Sequence, residues 1–125
     1  MYTAGVLDMF LEQQIKVDGI IGVSAGVLFG VNYVSGQKGR TIRYNKKYAK
    51  DPRYMGMKSF LLTGNIINKD FAYYEIPSKL DLFDEDTFKK AKIDFWATIT
   101  NVETGKPEYI KLEKPFEQME LLRAT

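Results

Sequence analysis

The sequence predicts an α/β fold, and three observations predict it. Residues 17–23 (Val-Asp-Gly-Ile-Ile-Gly-Val) form a short, mostly apolar run rich in β-branched side chains, as a buried parallel strand does. Residues 25–34 follow almost at once as a small, apolar stretch of helix length, ended by Ser35-Gly36. Joining the two is Gly22-Val23-Ser24-Ala25-Gly26, a Gly-x-Ser-x-Gly turn. A buried strand, a tight turn and a buried helix in succession open an α/β domain.

The other elements follow in order. Residues 1–14 read as a helix, because Val6, Leu7, Phe10 and Leu11 recur at helical spacing while Asp8, Glu12 and Gln13 face away. Residues 41–50 read as a basic helix that stops before Asp51-Pro52, since the residue preceding a proline disfavours helical angles. Residues 54–80 show no single period, with Gly64-Asn65 and Pro77 as punctuation. Residues 84–90 read as a short helix with acids at its start and lysines at its end, as the helix dipole favours. Residues 93–100 read as a strand, 103–106 as a turn and 107–112 as the returning strand of a hairpin. Phe95 and Trp96 on that first strand are expected to pack in the core. Residues 116–123 begin a last helix, and no repeat or low-complexity linker interrupts the chain.

Composition narrows the class. A chain of 125 residues, 45% hydrophobic and 27% charged, reads as a single soluble globular domain over 1–125. No apolar run has the length of a membrane span, and the first eight residues lack the basic flank of a signal peptide. Cytoplasm is the default location. Cysteine and histidine are both absent, so disulfides and a conventional structural zinc site are excluded, and no metal or cofactor is expected. The net charge of +2 hides a basic stretch: Lys38, Arg40, Arg43, Lys46, Lys47, Lys50, Arg53 and Lys58 stand against Asp51 alone. Such a patch bears on partners, not on fold. Without a recognisable nucleic-acid motif, and with overall charge nearly balanced, no nucleic-acid partner is expected.

The serine turn carries the chemistry. In such a turn the serine adopts a strained backbone so that its oxygen projects above the sheet edge, and glycines at 22 and 26 leave room where strand and helix pack. The helix that follows aims its free N–H groups at the reacting oxygen, so the Ala25 N–H becomes an oxyanion donor. A Ser-His-Asp triad cannot be built without histidine. Asp18 lies six residues before Ser24, about 20 Å along an extended strand, and is a poor base. Lys16 sits at the same far end. The plainer alternative is a purely structural turn.

Residues 1–30 resemble the patatin-like phospholipase family, especially its bacterial members. The matching blocks are Tyr2-Thr3-Ala4-Gly5-Val6-Leu7-Asp8 and residues 17–26, at a spacing that also fits. Weaker similarity runs through residues 95–101 and 121–125. The resemblance implies a three-layer α/β/α fold with a mostly parallel central sheet. It also implies lipid acyl hydrolysis by a Ser-Asp dyad, which needs no histidine: Ser24 is the nucleophile, Gly22, Ala25 and Gly26 support the turn and oxyanion, and lipid or another ester is the substrate. Two family elements are absent, the glycine-rich oxyanion loop before Tyr2 and the Asp-Gly motif of the dyad. The 125 residues are therefore expected to be a partial domain of a longer hydrolase, with little activity alone.

Residues 38–62 interleave basic side chains with Tyr44, Tyr48, Tyr54, Met55, Met57, Phe60, Leu61 and Leu62. Such a surface suits an anionic membrane, with Arg40, Arg43, Lys46, Lys47 and Lys50 as the candidate contacts and a peripheral location as the consequence. The plainer reading is a solvated helix with a few core tyrosines. Against the hydrolase stand a non-catalytic α/β module that binds a ligand or partner with the same turn, and an acyltransferase that differs only in its acceptor.

Overall fold

The structure is a computed structural model and describes residues 1–54, 56, 61, 64 and 67–125. Helix α1 runs Tyr2–Glu12 and is closed by Gln14, which takes a positive φ of 55°. Strand β1 is Gly19–Val23, two residues shorter than its apolar run, and helix α2 is Ala25–Val34, as its sequence predicts. Helix α3 is Arg40–Tyr48 and ends ahead of Asp51-Pro52. Helix α4 is Glu85–Lys90; the Asp84 carboxylate caps it by accepting from the Thr87 N–H at 2.9 Å. Strand β2 is Asp94–Thr100, strand β3 is Pro107–Lys111 and helix α5 is Met119–Ala124.

Asp70–Leu80, which shows no single period in the sequence, is wound as a π-helix with Pro77 inside it. Its end is held by the Asp81 N–H donating to Ile76 O at 2.8 Å, five residues back. The Asn68 side chain accepts from the Phe71 N–H at its start, and the Ser78 hydroxyl donates to Tyr74 O. A wider winding than the α-helix blurs the spacing by which an amphipathic helix is recognised.

The sheet has the order β1-β2-β3. β1 runs parallel to β2, with Gly19 opposite Asp94 and Val23 opposite Thr98. β2 and β3 form the antiparallel hairpin, with Thr100 opposite Pro107 and Trp96 opposite Lys111. The chain is thus a mixed α/β structure on a small mixed sheet.

The core lies on one face of that sheet. Val27, Val31 and Val34 of α2 meet Phe95 and Ala97 of β2, with Phe88, Leu112, Met119 and Leu122 closing around them. Gly30 allows this approach, because a Cβ there would lie 2.8 Å from the Phe95 ring. α1 joins through Leu7, Phe10 and Leu11, and the Tyr33 hydroxyl donates to Ile15 O at 2.7 Å. A second small cluster, Tyr48, Phe71 and Ile76, ties α3 to the π-helix.

The opposite face is open. By the strand alternation and register, Ile21, Val23, Trp96 and Tyr109 share it, and they are 67%, 63%, 36% and 57% exposed. The core position expected for Trp96 is therefore corrected: only Phe95 points into the packed face, at 1% exposure. Among the described residues β1 is an edge strand with no partner on its outer side. No helix of the described residues is long and apolar enough to cross a membrane.

Candidate active site

Ser24 occupies the one-residue step between β1 and α2 with φ 49° and ψ −124°. A β-carbon-bearing residue pays about 1–3 kcal/mol for such a conformation and holds it only when its surroundings impose it. The parallel ladder fixes the chain up to Val23, opposite Thr98. On the other side the Val27 N–H donates to Ser24 O at 2.9 Å. Gly22 makes the sharp turn possible, since a Cβ there would come within 2.9 Å of Val27 Cα, N and Cγ2.

Gly26 is different. A Cβ there would meet nothing within 4 Å among the described residues, so the steric role expected for Gly26 is corrected to Gly22 alone. Ser24 and Ala25 are both exposed, and Gly26 is half-buried. Among the described residues, neither the Ala25 nor the Gly26 N–H donates a hydrogen bond. They are the orphan donors expected at the start of a helix, set beside the serine that precedes it.

The carboxylates nearest in sequence are not near in space. Asp94 pairs with Gly19, and Asp18 precedes it, so both lie at the opposite end of β1, roughly 16–20 Å from Ser24 by strand rise. The Ser24 end of β2 carries Thr98 and Thr100, with Asn101 just past it, all uncharged. Thr98, level with Val23, has its hydroxyl buried and without a hydrogen-bond partner among the described residues. Sequence reasoning passes over it, because a threonine in a strand signals only β-propensity.

The basic stretch divides. Arg40 is 3% exposed, and its Nη1 donates to Asn32 Oδ1 at 2.6 Å. Its Nε reaches Asp81 O and Leu82 O, and lies 3.2 Å from Asp81 Oδ1. Burial pushes its pKa down while Asp81 pulls it back up. Arg40 is thus corrected from a surface contact to a buried tie between α2, α3 and the end of the π-helix. Arg43 remains exposed and grips the Asp81 carboxylate from outside with two bonds of 2.8 Å. Those bonds, joined by the Arg40 charge, hold the Asp81 carboxyl below its ordinary value. Lys46, Lys47 and Lys50 are exposed, while Tyr48 is buried and Tyr44 and Tyr54 are half-buried. Met55, Met57, Lys58, Phe60 and Leu62 lie outside the described residues; Leu61 is exposed.

The chain matches no family model, no curated protein and no solved structure. What Ser24 can do follows from its own surroundings. It presents an exposed hydroxyl on a strained step, directly before two unused N–H donors, with no titratable base beside it in β1 or the adjoining end of β2.

Proposed function

We propose that this chain is part of a serine acyl hydrolase of patatin-like type, acting on lipid or other acyl esters through Ser24. The observation that carries the reading is the Ser24 backbone, φ 49° and ψ −124°, between a strand and a helix. It gives physical form to the Gly-x-Ser-x-Gly pattern, and the blocks at residues 2–8 and 17–26 supply the resemblance.

The chemistry follows. Ser24 Oγ attacks the ester carbonyl, and the negative oxygen that develops is met by the Ala25 N–H. The alcohol leaves, and water releases the acyl group from Ser24. The proton of Ser24 passes to an aspartate. No carboxylate of β1 or β2 lies within reach of Ser24, so on this reading the dyad aspartate comes from another part of the protein. The open sheet face, and the edge of β1 that has no partner strand among the described residues, leave room for the further strands and second helical layer this reading requires. Arg43, Lys46, Lys47 and Lys50, at positions that share one side of α3 and its end, suit docking on an anionic membrane.

The lack of a titratable side chain near Ser24 in β1 and the adjoining end of β2 favours one alternative, a non-catalytic binding module that keeps the turn for structural reasons. Fluorophosphonate labelling followed by peptide mapping separates them. The protein expressed from the full open reading frame is expected to carry the label on Ser24 and to hydrolyse p-nitrophenyl esters. Ser24→Ala is expected to lower that activity by at least about 10³-fold. A full-length protein that is folded, unlabelled and inactive leaves the binding module.

A further inference from the structure

Among the described residues, the Thr98 hydroxyl is the only buried side-chain oxygen or nitrogen without a hydrogen-bond partner. Buried polar groups in native proteins are almost always paired, because an unpaired one forfeits the bond it made with water. An exception points to a partner that arrives from elsewhere.

The position of Thr98 says what that partner does. β2 is the middle strand, paired with β1 on one side and β3 on the other, so its backbone is fixed from both sides. Thr98 stands opposite Val23 and Tyr109, in one row across the three strands on the open face. Ser24 directly follows Val23. Neighbouring strands lie about 4.8 Å apart and one further residue adds about 3.3 Å, so the Thr98 and Ser24 backbones are roughly 6 Å apart. A carboxylate accepts at two oxygens through O–H···O bonds of about 2.7 Å, and one carboxylate bridges two hydroxyls at that separation. The β-branched threonine is stiff at χ1, so its hydroxyl has a fixed aim. Access from the open face needs only the Tyr109 ring, 57% exposed, to turn aside, a fast motion for an exposed side chain.

We propose that Thr98 is a positioning residue for Ser24: its hydroxyl donates to one oxygen of the carboxylate that takes the Ser24 proton, and leaves the other oxygen to Ser24 Oγ–H. The proposal rests on the hydrolase reading of Ser24. A hydroxyl suits the task better than a cation. A hydrogen bond to a charged acceptor is about twice as strong as one between neutral groups, enough to aim the carboxylate. A lysine or arginine in its place would pull the carboxyl pKa far down and spoil it as a base.

The test uses protein from the full open reading frame and the pH profile of p-nitrophenyl ester hydrolysis. Thr98→Val keeps the shape and removes the hydroxyl. It is expected to lower kcat/KM by about 10- to 100-fold, mainly through kcat, the usual cost of a misaligned catalytic group. A bond to the charged form lowers a carboxyl pKa, so its loss is expected to move the acid limb of the profile upward by about one pH unit. Thr98→Ser, which keeps the hydroxyl, is expected to restore most of the rate and the original limb. If Thr98→Val does not fold, Thr98→Ala removes the same hydroxyl with nothing added to clash. Loss of the hydroxyl with rate and acid limb unchanged overturns the proposal. So does a loss that appears in KM alone, or one that Thr98→Ser shares, since either assigns the residue to binding or packing. Any of these results beside fluorophosphonate labelling of Ser24 spares the nucleophile. A folded full-length protein that is neither labelled nor active overturns the hydrolase reading, and with it the role of Thr98.

Discussion

Ser24 keeps its unfavourable backbone because Gly22 lets α2 close against β1, and that dependence is measurable. A methyl group at Gly22 would press on Val27 N, Cα and Cγ2 at 2.9 Å, two of them backbone atoms that cannot swing aside. Gly22→Ala is expected to lower stability by about 2 kcal/mol in urea denaturation, the range for overpacking a rigid site. Gly26→Ala, which meets open space, is expected to be neutral or to stabilise by up to about 1 kcal/mol through helix propensity. Equal losses at both positions would show that the turn, and not the contact with Val27, needs glycine. Asp81 gives a second measurement. Its carboxyl is held down first by the bonds from Arg43 and then by the charge of Arg40. A depressed carboxyl contributes stability above its unfolded value of about 3.9, and that contribution is lost as pH falls through the lower folded value. Asp81→Asn leaves Arg40 buried without its counter-charge and is expected to cost about 3 kcal/mol at pH 7. The difference from the unsubstituted chain should shrink below about pH 4, and a pH-independent difference would remove the ionic explanation. None of this is legible at Arg40 itself. In sequence it looks like Lys46 or Lys47, and the partner that buries it lies 41 residues away.

The elements legible in the sequence are those whose periods are clean. β1, α2 and the β2–β3 hairpin announce themselves by continuous apolar runs, a glycine-serine step and turn residues, and they form within a residue or two of their predicted bounds. α4 is legible from its acidic start, where Asp84 does cap the helix. The π-helix is not, because its winding matches neither template and its proline argues against helix altogether. α3 is legible as a helix but not in its function, since a basic amphipathic surface reads equally as solvated or as membrane-facing. With Arg40 inside, the face left for a membrane is Arg43, Lys46, Lys47 and Lys50. Each lysine near an anionic surface contributes about 1 kcal/mol. Replacing Lys46, Lys47 and Lys50 together by glutamine is therefore expected to weaken binding to phosphatidylserine vesicles by about 100-fold at low salt. Sedimentation with vesicles of graded charge measures it. Binding that ignores lipid charge, or no binding at all, returns α3 to a solvated face.

At the scale of the whole molecule, the α/β class follows from the order of elements, but which sheet face is covered does not. Ile21 and Val23 read as buried because they are apolar and β-branched, and Trp96 reads as core because aromatic strand residues usually pack. All three stand on the open face beside Tyr109, next to a strand edge whose backbone groups have no partner strand among the described residues. An apolar face adjoining an unpaired edge is a template for association. The isolated 125-residue chain is expected to self-associate at micromolar concentration, the range in which exposed strand edges begin to pair. Trp96, the single tryptophan, reports it directly. Its fluorescence should shift to the blue as concentration rises, in step with a growing sedimentation coefficient. Ile21→Lys places a charge in the middle of the face, opposite Trp96 in the register, without touching Ser24, α2 or the packed core. That substitution is expected to hold the chain monomeric and Trp96 wet at the same concentrations. A monodisperse unsubstituted monomer with a cooperative melt and a concentration-independent tryptophan spectrum would mean that the open face is stable in water, and would remove the physical reason for seating further strands and helices upon it.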